Sequence, residues 1–129
     1  MDDTLSIECP QLSCFTKQIS DSSDVLYADP DQTLLMYDWD DTLFPTAELF
    51  DRWGLDSSTE NLQIPPLSDE KEAALEVWQD ALVECLTKSC ALSSRCVIIT
   101  NARRPWVTDC IDRFAPRLRP LIDRADGGL

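Results

Sequence analysis

The stretch Leu34-Leu35-Met36-Tyr37-Asp38-Trp39-Asp40-Asp41-Thr42-Leu43 decides how the chain folds. Thr33 through Tyr37 run apolar without alternation, the pattern of a strand buried on both faces of a parallel sheet. The run stops at Asp38, and Asp38, Asp40 and Asp41 crowd three carboxylates into four residues. Like charges this close disfavour one another's ionised forms, and desolvation adds to the cost. Such a cluster persists where a cation sits among the oxygens or where one carboxyl keeps its proton. Hard oxygen ligands in small number suit Mg2+, which fills its remaining positions with water and phosphate. The carboxyl end of a strand is also where open parallel sheets bind ligands.

Downstream, Leu43 to Pro66 is irregular, broken by Pro45, Gly54 and the pair Pro65-Pro66. Ser68 then caps a helix running to about Lys88, its first turn carrying Asp69, Glu70 and Glu72 at the positive end of the dipole. Leu75, Trp78, Leu82 and Cys85 follow helical spacing, with Leu86 beside them. A second strand is expected at Cys96-Val97-Ile98-Ile99-Thr100, β-branched and apolar. Another helix should open at Pro105, with Val107, Cys110, Ile111 and Phe114 as its apolar stripe, Asp109 paired to Arg113, and Pro116 as its stop. Strand, helix, strand, helix implies a right-handed crossover and a parallel sheet. The fold class expected is therefore α/β, a partial Rossmann-like parallel sheet with crossover helices.

At 129 residues the chain is one domain, and 43% hydrophobic residues allow a real core. Residues 1–30, rich in Ser and Asp and without a sustained period, read as a flexible acidic lead-in to a domain over 31–129. Within that domain 43–94 forms a flap and helical insert. A net charge of −13 argues against nucleic-acid backbones, which need clustered positive charge. The charge is uneven: residues 1–94 hold 20 acids and 4 bases, residues 95–129 hold 7 arginines and 4 acids. A solvated face on each side is the plain explanation. No apolar run approaches the roughly 20 residues of a bilayer crossing, and the acidic Met1-Asp2-Asp3 is no secretory leader. The expected setting is cytoplasmic. Six cysteines without histidine, with Cys85 and Cys90 five residues apart on a helix so that their thiols diverge, read as isolated thiols rather than a zinc site.

Other acidic or phosphate motifs fit poorly. Thr42 and Leu43 stand where an EF-hand loop needs its third acid and its glycine, and the three glycines, at 54, 127 and 128, form no P-loop. A receiver domain places its phosphoacceptor Asp on a later strand than its acidic pair. The run from Leu34 to Leu43 instead resembles the first motif of the haloacid dehalogenase (HAD)-like superfamily, an apolar strand followed by D-x-D-x-T and an apolar residue. Val97-Ile98-Ile99-Thr100-Asn101 is similar to its second motif, an apolar strand ending in Thr or Ser. The likeness spans about residues 33–115.

The resemblance implies a magnesium-dependent phosphatase acting on a phosphorylated substrate, including macromolecular ones. On it, Asp38 is the nucleophile that forms an aspartyl-phosphate. Asp40 protonates the leaving oxygen and then activates water. The Asp38 carboxylate and the Asp40 main-chain carbonyl hold Mg2+, Thr42 steadies the loop, and Thr100 with the Asn101 N–H binds a phosphoryl oxygen. A lysine and a second acidic pair that complete such sites have no counterpart: Lys17, Lys71 and Lys88 all precede the second motif, and the acids after Thr100 follow no apolar strand. The chain is accordingly expected to be the front portion of such a domain, inactive on its own, with a non-catalytic interaction or metal-binding module as the alternative. Arg103 and Arg104 are read as a solvated pair, and Trp39, Phe44 and Trp53 as packing residues.

Overall fold

A computed structural model describes residues 4–7, 29–58, 60 and 63–122. Their order is β1 (Thr4–Ile7), β2 (Leu34–Asp38), α1 (Asp69–Leu92), β3 (Arg95–Ile99), α2 (Trp106–Phe114) and α3 (Arg119–Ile122). A 3-10 turn at Pro30–Gln32 leads into β2, a short π-helical turn at Ala47–Arg52 follows it, and a 3-10 turn at Pro116–Leu118 leads into α3. The class is α/β, as the alternation of strand and helix dictates.

The three strands form one sheet in the order β1-β3-β2. β2 and β3 are parallel, with Met36 opposite Val97 and Asp38 opposite Ile99, and α1 is the crossover between them. β1 runs antiparallel to β3, Thr4 opposite Ile99 and Ile7 opposite Cys96. Two expectations change here. The sheet is mixed rather than wholly parallel, and a strand occupies four residues of the stretch read as a lead-in. TLSI is too short to establish a period, and its pairing is supplied by β3, some ninety positions away in the chain. The rest of the lead-in, apart from Asp29 and Pro30, lies outside the described residues, as do residues 123–129.

β2 is not buried on both faces. Leu35 and Tyr37 turn toward the helices, and the Tyr37 hydroxyl lies 2.5 Å from Ser89 Oγ on α1. Leu34 and Met36, on the other face with Asp38, are 51% and 62% exposed, and Ile99 on β3 is 42% exposed. The absence of alternation imitated a doubly covered strand, although apolar side chains here stand on an open face. β3 is the buried one, with Cys96, Val97 and Ile98 all inside, because it has a neighbour on each side.

α1 begins where capping predicts it: Ser68 is extended and its hydroxyl accepts from Lys71 N–H. It runs four residues past Lys88 and stops at Ser93, which takes up extended geometry. Its buried positions are Gln79, Leu82, Leu86 and Ser89, so the inner stripe passes Leu86 and leaves Cys85 exposed. The two polar members are satisfied, since Gln79 Oε1 accepts the Arg117 N–H at 3.2 Å and Ser89 donates to the Cys85 carbonyl at 2.8 Å. α2 carries the expected stripe of Val107, Cys110, Ile111 and Phe114, with Pro105 at its N-cap instead of inside it. Arg113 turns to the Asp56 carbonyl rather than to Asp109. Leu118 and Ile122 complete the core beyond Pro116. No described helix is long and apolar enough to cross a membrane.

Leu86 is wholly buried in the C-terminal third of α1, whereas Val77 on the same helix is 71% exposed. Leu86→Ala should cost about 2–5 kcal/mol in chemical denaturation, through lost burial and the cavity left behind. Val77→Ala should stay within about 0.5 kcal/mol.

Candidate functional site

β2 delivers Asp38 to its last position, and the chain then reverses within a single tight loop. The Trp39 carbonyl accepts N–H bonds from Thr42, Leu43 and Phe44, and the Phe44 carbonyl accepts from Asp41 N–H at 2.7 Å. Trp39 N–H reaches across to the Ile99 carbonyl at 3.2 Å, so the loop is stitched to the end of β3. What fixes the reversal is aromatic. Trp39 and Phe44 are both fully buried and stack with ring centroids 5.3 Å apart and planes 5° from parallel. Phe44 also meets Trp78, Trp106, Phe50 and Phe114, drawing α1, α2 and the 47–52 turn around one ring. The reading of Trp39 and Phe44 as packing residues holds, and Trp53 is half-buried with its N–H on Glu48.

The three carboxylates have three different occupations. Asp38 is exposed, and its Oδ2 accepts the Thr42 hydroxyl at 2.7 Å. Thr42 therefore steadies the first aspartate directly. Asp41 has φ 56, in the left-handed region that Asp tolerates, and its Oδ1 accepts Ala47 N–H at 2.7 Å. It is the turn residue. Asp40 points inward and is half-buried. Its Oδ1 accepts the Thr46 hydroxyl at 2.8 Å and the Trp106 indole N–H at 2.9 Å; its Oδ2 accepts the Thr100 hydroxyl at 3.2 Å.

Asp40 and Thr100 are thus brought together from positions sixty residues apart, because the parallel register of β2 and β3 ends both strands at one level. Thr100 Oγ1 in turn accepts Ala102 N–H at 3.0 Å, and exposed Asn101 lies between them in the chain. Arg103 and Arg104 are exposed. None of Asp38, Asp40 and Asp41 forms an ion pair among the described residues, where the salt bridges lie elsewhere, such as Arg117 with Glu76 and Asp80, and Arg119 with Asp112.

Thr46 and Trp106 were not singled out from sequence. Thr46 carried a faint signal, a hydroxyl following Pro45 at the start of a turn. Trp106 carried none, because its partner lies on a loop sixty-six residues away.

The Mg2+ that the resemblance implies would draw on two hard oxygens. One is the Asp38 carboxylate, with one oxygen spent on Thr42; the other is the Asp40 main-chain carbonyl, which takes part in none of the loop's hydrogen bonds. Among the described residues no group of three or more acidic or thiol side chains gathers around a point. Two protein ligands suit an ion that keeps most of its water.

Behind the loop, the Trp39 indole N–H is buried without an oxygen or nitrogen acceptor and faces the Cys110 thiol, a weak one. Burial pushes that thiol up to about 12, with the Trp39 contact opposing the shift only in part. The unfolded chain would release this proton near pH 9, whereas the fold retains it, so the unfolded state binds fewer protons between about 9 and about 12. Stability should therefore fall as pH rises through that window, and a Cys110→Ala variant should show a shallower decline by urea titration. In the native chain Cys85 should react with a thiol reagent at pH 8 and Cys110 should not.

Asp40→Ala leaves three donors without their acceptor and should cost about 1–3 kcal/mol in urea denaturation. Asp41→Asn keeps a carbonyl for Ala47 N–H and tolerates the same φ, so it should lie within about 0.5 kcal/mol of the parent.

Comparison with family models, curated proteins and solved structures finds no match to the chain.

Proposed function

We propose that the chain carries the nucleophile half of a magnesium-dependent phosphoryl-transfer site of the HAD-like phosphatase kind, with Asp38 as the attacking group. One observation carries the reading. The strand-end aspartates and the Thr100 hydroxyl, sixty residues apart, meet at the same end of two adjacent parallel strands, with Asp40 bonded to Thr100 at 3.2 Å. A turn or cap would need Asp41 alone. An outward carboxylate steadied by a hydroxyl, an inward one beside it and a second hydroxyl opposite are groups that attack, proton transfer and anion binding would use.

In this reading the Asp38 oxygen bonds to phosphorus as the P–O bond to the leaving group breaks, and the leaving oxygen departs with the electron pair. Asp40 supplies its proton. Asp40 then takes a proton from water as the water oxygen attacks phosphorus, and the Asp38–phosphorus bond breaks to release phosphate and restore the carboxylate. Thr100 and the Asn101 N–H orient the phosphoryl group. Bound Mg2+, on the Asp38 carboxylate and the Asp40 carbonyl, would neutralise phosphoryl charge. The open setting of Asp38 suits bulky phosphorylated substrates, proteins included.

A second reading is a non-catalytic module, favoured by the lack of any cation paired with the three carboxylates among the described residues. An activated donor separates the two, since it needs neither a general acid nor much charge neutralisation. Incubated with Mg2+ and acetyl phosphate, the chain should gain one phosphoryl group on Asp38, seen by mass spectrometry and labile to hydroxylamine. Asp38→Asn should not be labelled, and Asp41→Asn should be. A folded chain that takes no label, or one labelled equally in Asp38→Asn, leaves the module reading standing. Ordinary aryl phosphates should turn over too slowly to measure.

A further inference from the structure

The donors around Asp40 are not shared evenly between its two oxygens. Oδ1 takes two, the Thr46 hydroxyl at 2.8 Å and the Trp106 indole N–H at 2.9 Å, which occupy both of its lone-pair directions. Oδ2 takes one, the Thr100 hydroxyl, at 3.2 Å. That third bond is the longest, and Thr100 Oγ1 is committed on its other side to Ala102 N–H.

The two short donors are themselves held by the core. The Trp106 ring lies 6.3 Å from Phe44 and 5.6 Å from Phe50, centroid to centroid, so aromatic packing on both sides sets the direction of its N–H. Thr46 sits one residue after Pro45, with its N–H on the Phe44 carbonyl at 2.9 Å. A carboxylate gripped through one oxygen by an indole N–H of fixed direction and by a hydroxyl beside it has its second oxygen held in place as well.

We propose that Trp106 and Thr46 are positioning residues that anchor Asp40 through Oδ1, which assigns Oδ2, the oxygen beside Thr100, to the proton transfers. This rests on the phosphoryl-transfer reading of Asp38 and Asp40. When a phosphoryl oxygen draws the Thr100 hydroxyl away, Oδ2 loses its donor and Asp40 keeps its place, because the Oδ1 bonds remain. Oδ2 then takes the proton of the water whose oxygen attacks phosphorus, while the Asp38–phosphorus bond breaks and phosphate leaves.

The two half-reactions separate positioning from mere packing. Acetate departs without a proton, so formation of the aspartyl-phosphate from acetyl phosphate does not call on Asp40, whereas its hydrolysis does. Thr46→Val and Trp106→Phe remove the donors and keep most of the packing. With Mg2+ and acetyl phosphate, each should form the acyl phosphate at the parent rate and lose it roughly tenfold more slowly, followed by phosphorus NMR after the donor is removed. Thr46→Ser, which restores the hydroxyl, should return hydrolysis to the parent rate. Equal slowing of formation and hydrolysis, or unchanged hydrolysis in both variants, would overturn the positioning role while leaving Asp38 as nucleophile. A parent chain that takes no label removes the reading of Asp38, and the positioning role falls with it.

Discussion

The carboxylate of Asp40 is the joint on which the described structure turns. It accepts from Thr46 at the start of the 47–52 turn, from Thr100 at the end of β3, and from Trp106 at the start of α2. The 47–52 turn close by and the ends of β3 and α2, sixty and more residues away, are thus fixed to one side chain just beyond β2. A half-buried carboxylate is costly unless its lone pairs are used, and here they are used by two hydroxyls and an indole. The same bonds that relieve the cost place Asp38, Asp40 and Thr100 within one small region.

Around this polar joint lies an aromatic one. Trp39 stacked on Phe44 closes the loop between the aspartates, and Phe44 receives Trp78, Trp106, Phe50 and Phe114. The Trp78 indole N–H donates to the Leu43 carbonyl at 3.0 Å, which ties α1 to the loop from below. Stacked rings and short bonds together hold the acidic loop, with its one left-handed residue, Asp41, at the point where the chain must turn.

The acidic loop was legible in the sequence because an apolar strand ending in D-x-D-x-T is a local pattern, and each part of it is contained in ten residues. The crossover helix was legible for the same reason, since Ser68, the acids of the first turn and the spacing of Leu82 and Leu86 are local signals. The face of β2 was misread because periodicity reports what a strand could bury, not what covers it; Leu34 and Met36 are apolar and exposed. β1 was missed because four residues carry no period and owe their shape to β3. Asp38, Asp40, Asp41 and Thr42 read as one cluster, and the structure divides it into an outward carboxylate with its hydroxyl, an anchor and a turn.

By itself, then, the sequence determined β2, α1, β3 and α2, their order, and the residue types gathered at the end of β2, because capping, helical spacing and strand hydrophobicity act over a few residues. Tertiary structure alone decided which carboxylate points where. Asp38 and Asp40 are two apart on one loop and differ in burial only because Thr46, Thr100 and Trp106 converge on the second. It also decided the partnership of Thr100 with Asp40 and the antiparallel seat of β1 beside β3. Those are contacts between residues far apart in the chain, and their energy exists only once the sheet register and the aromatic core have brought the partners within bonding distance.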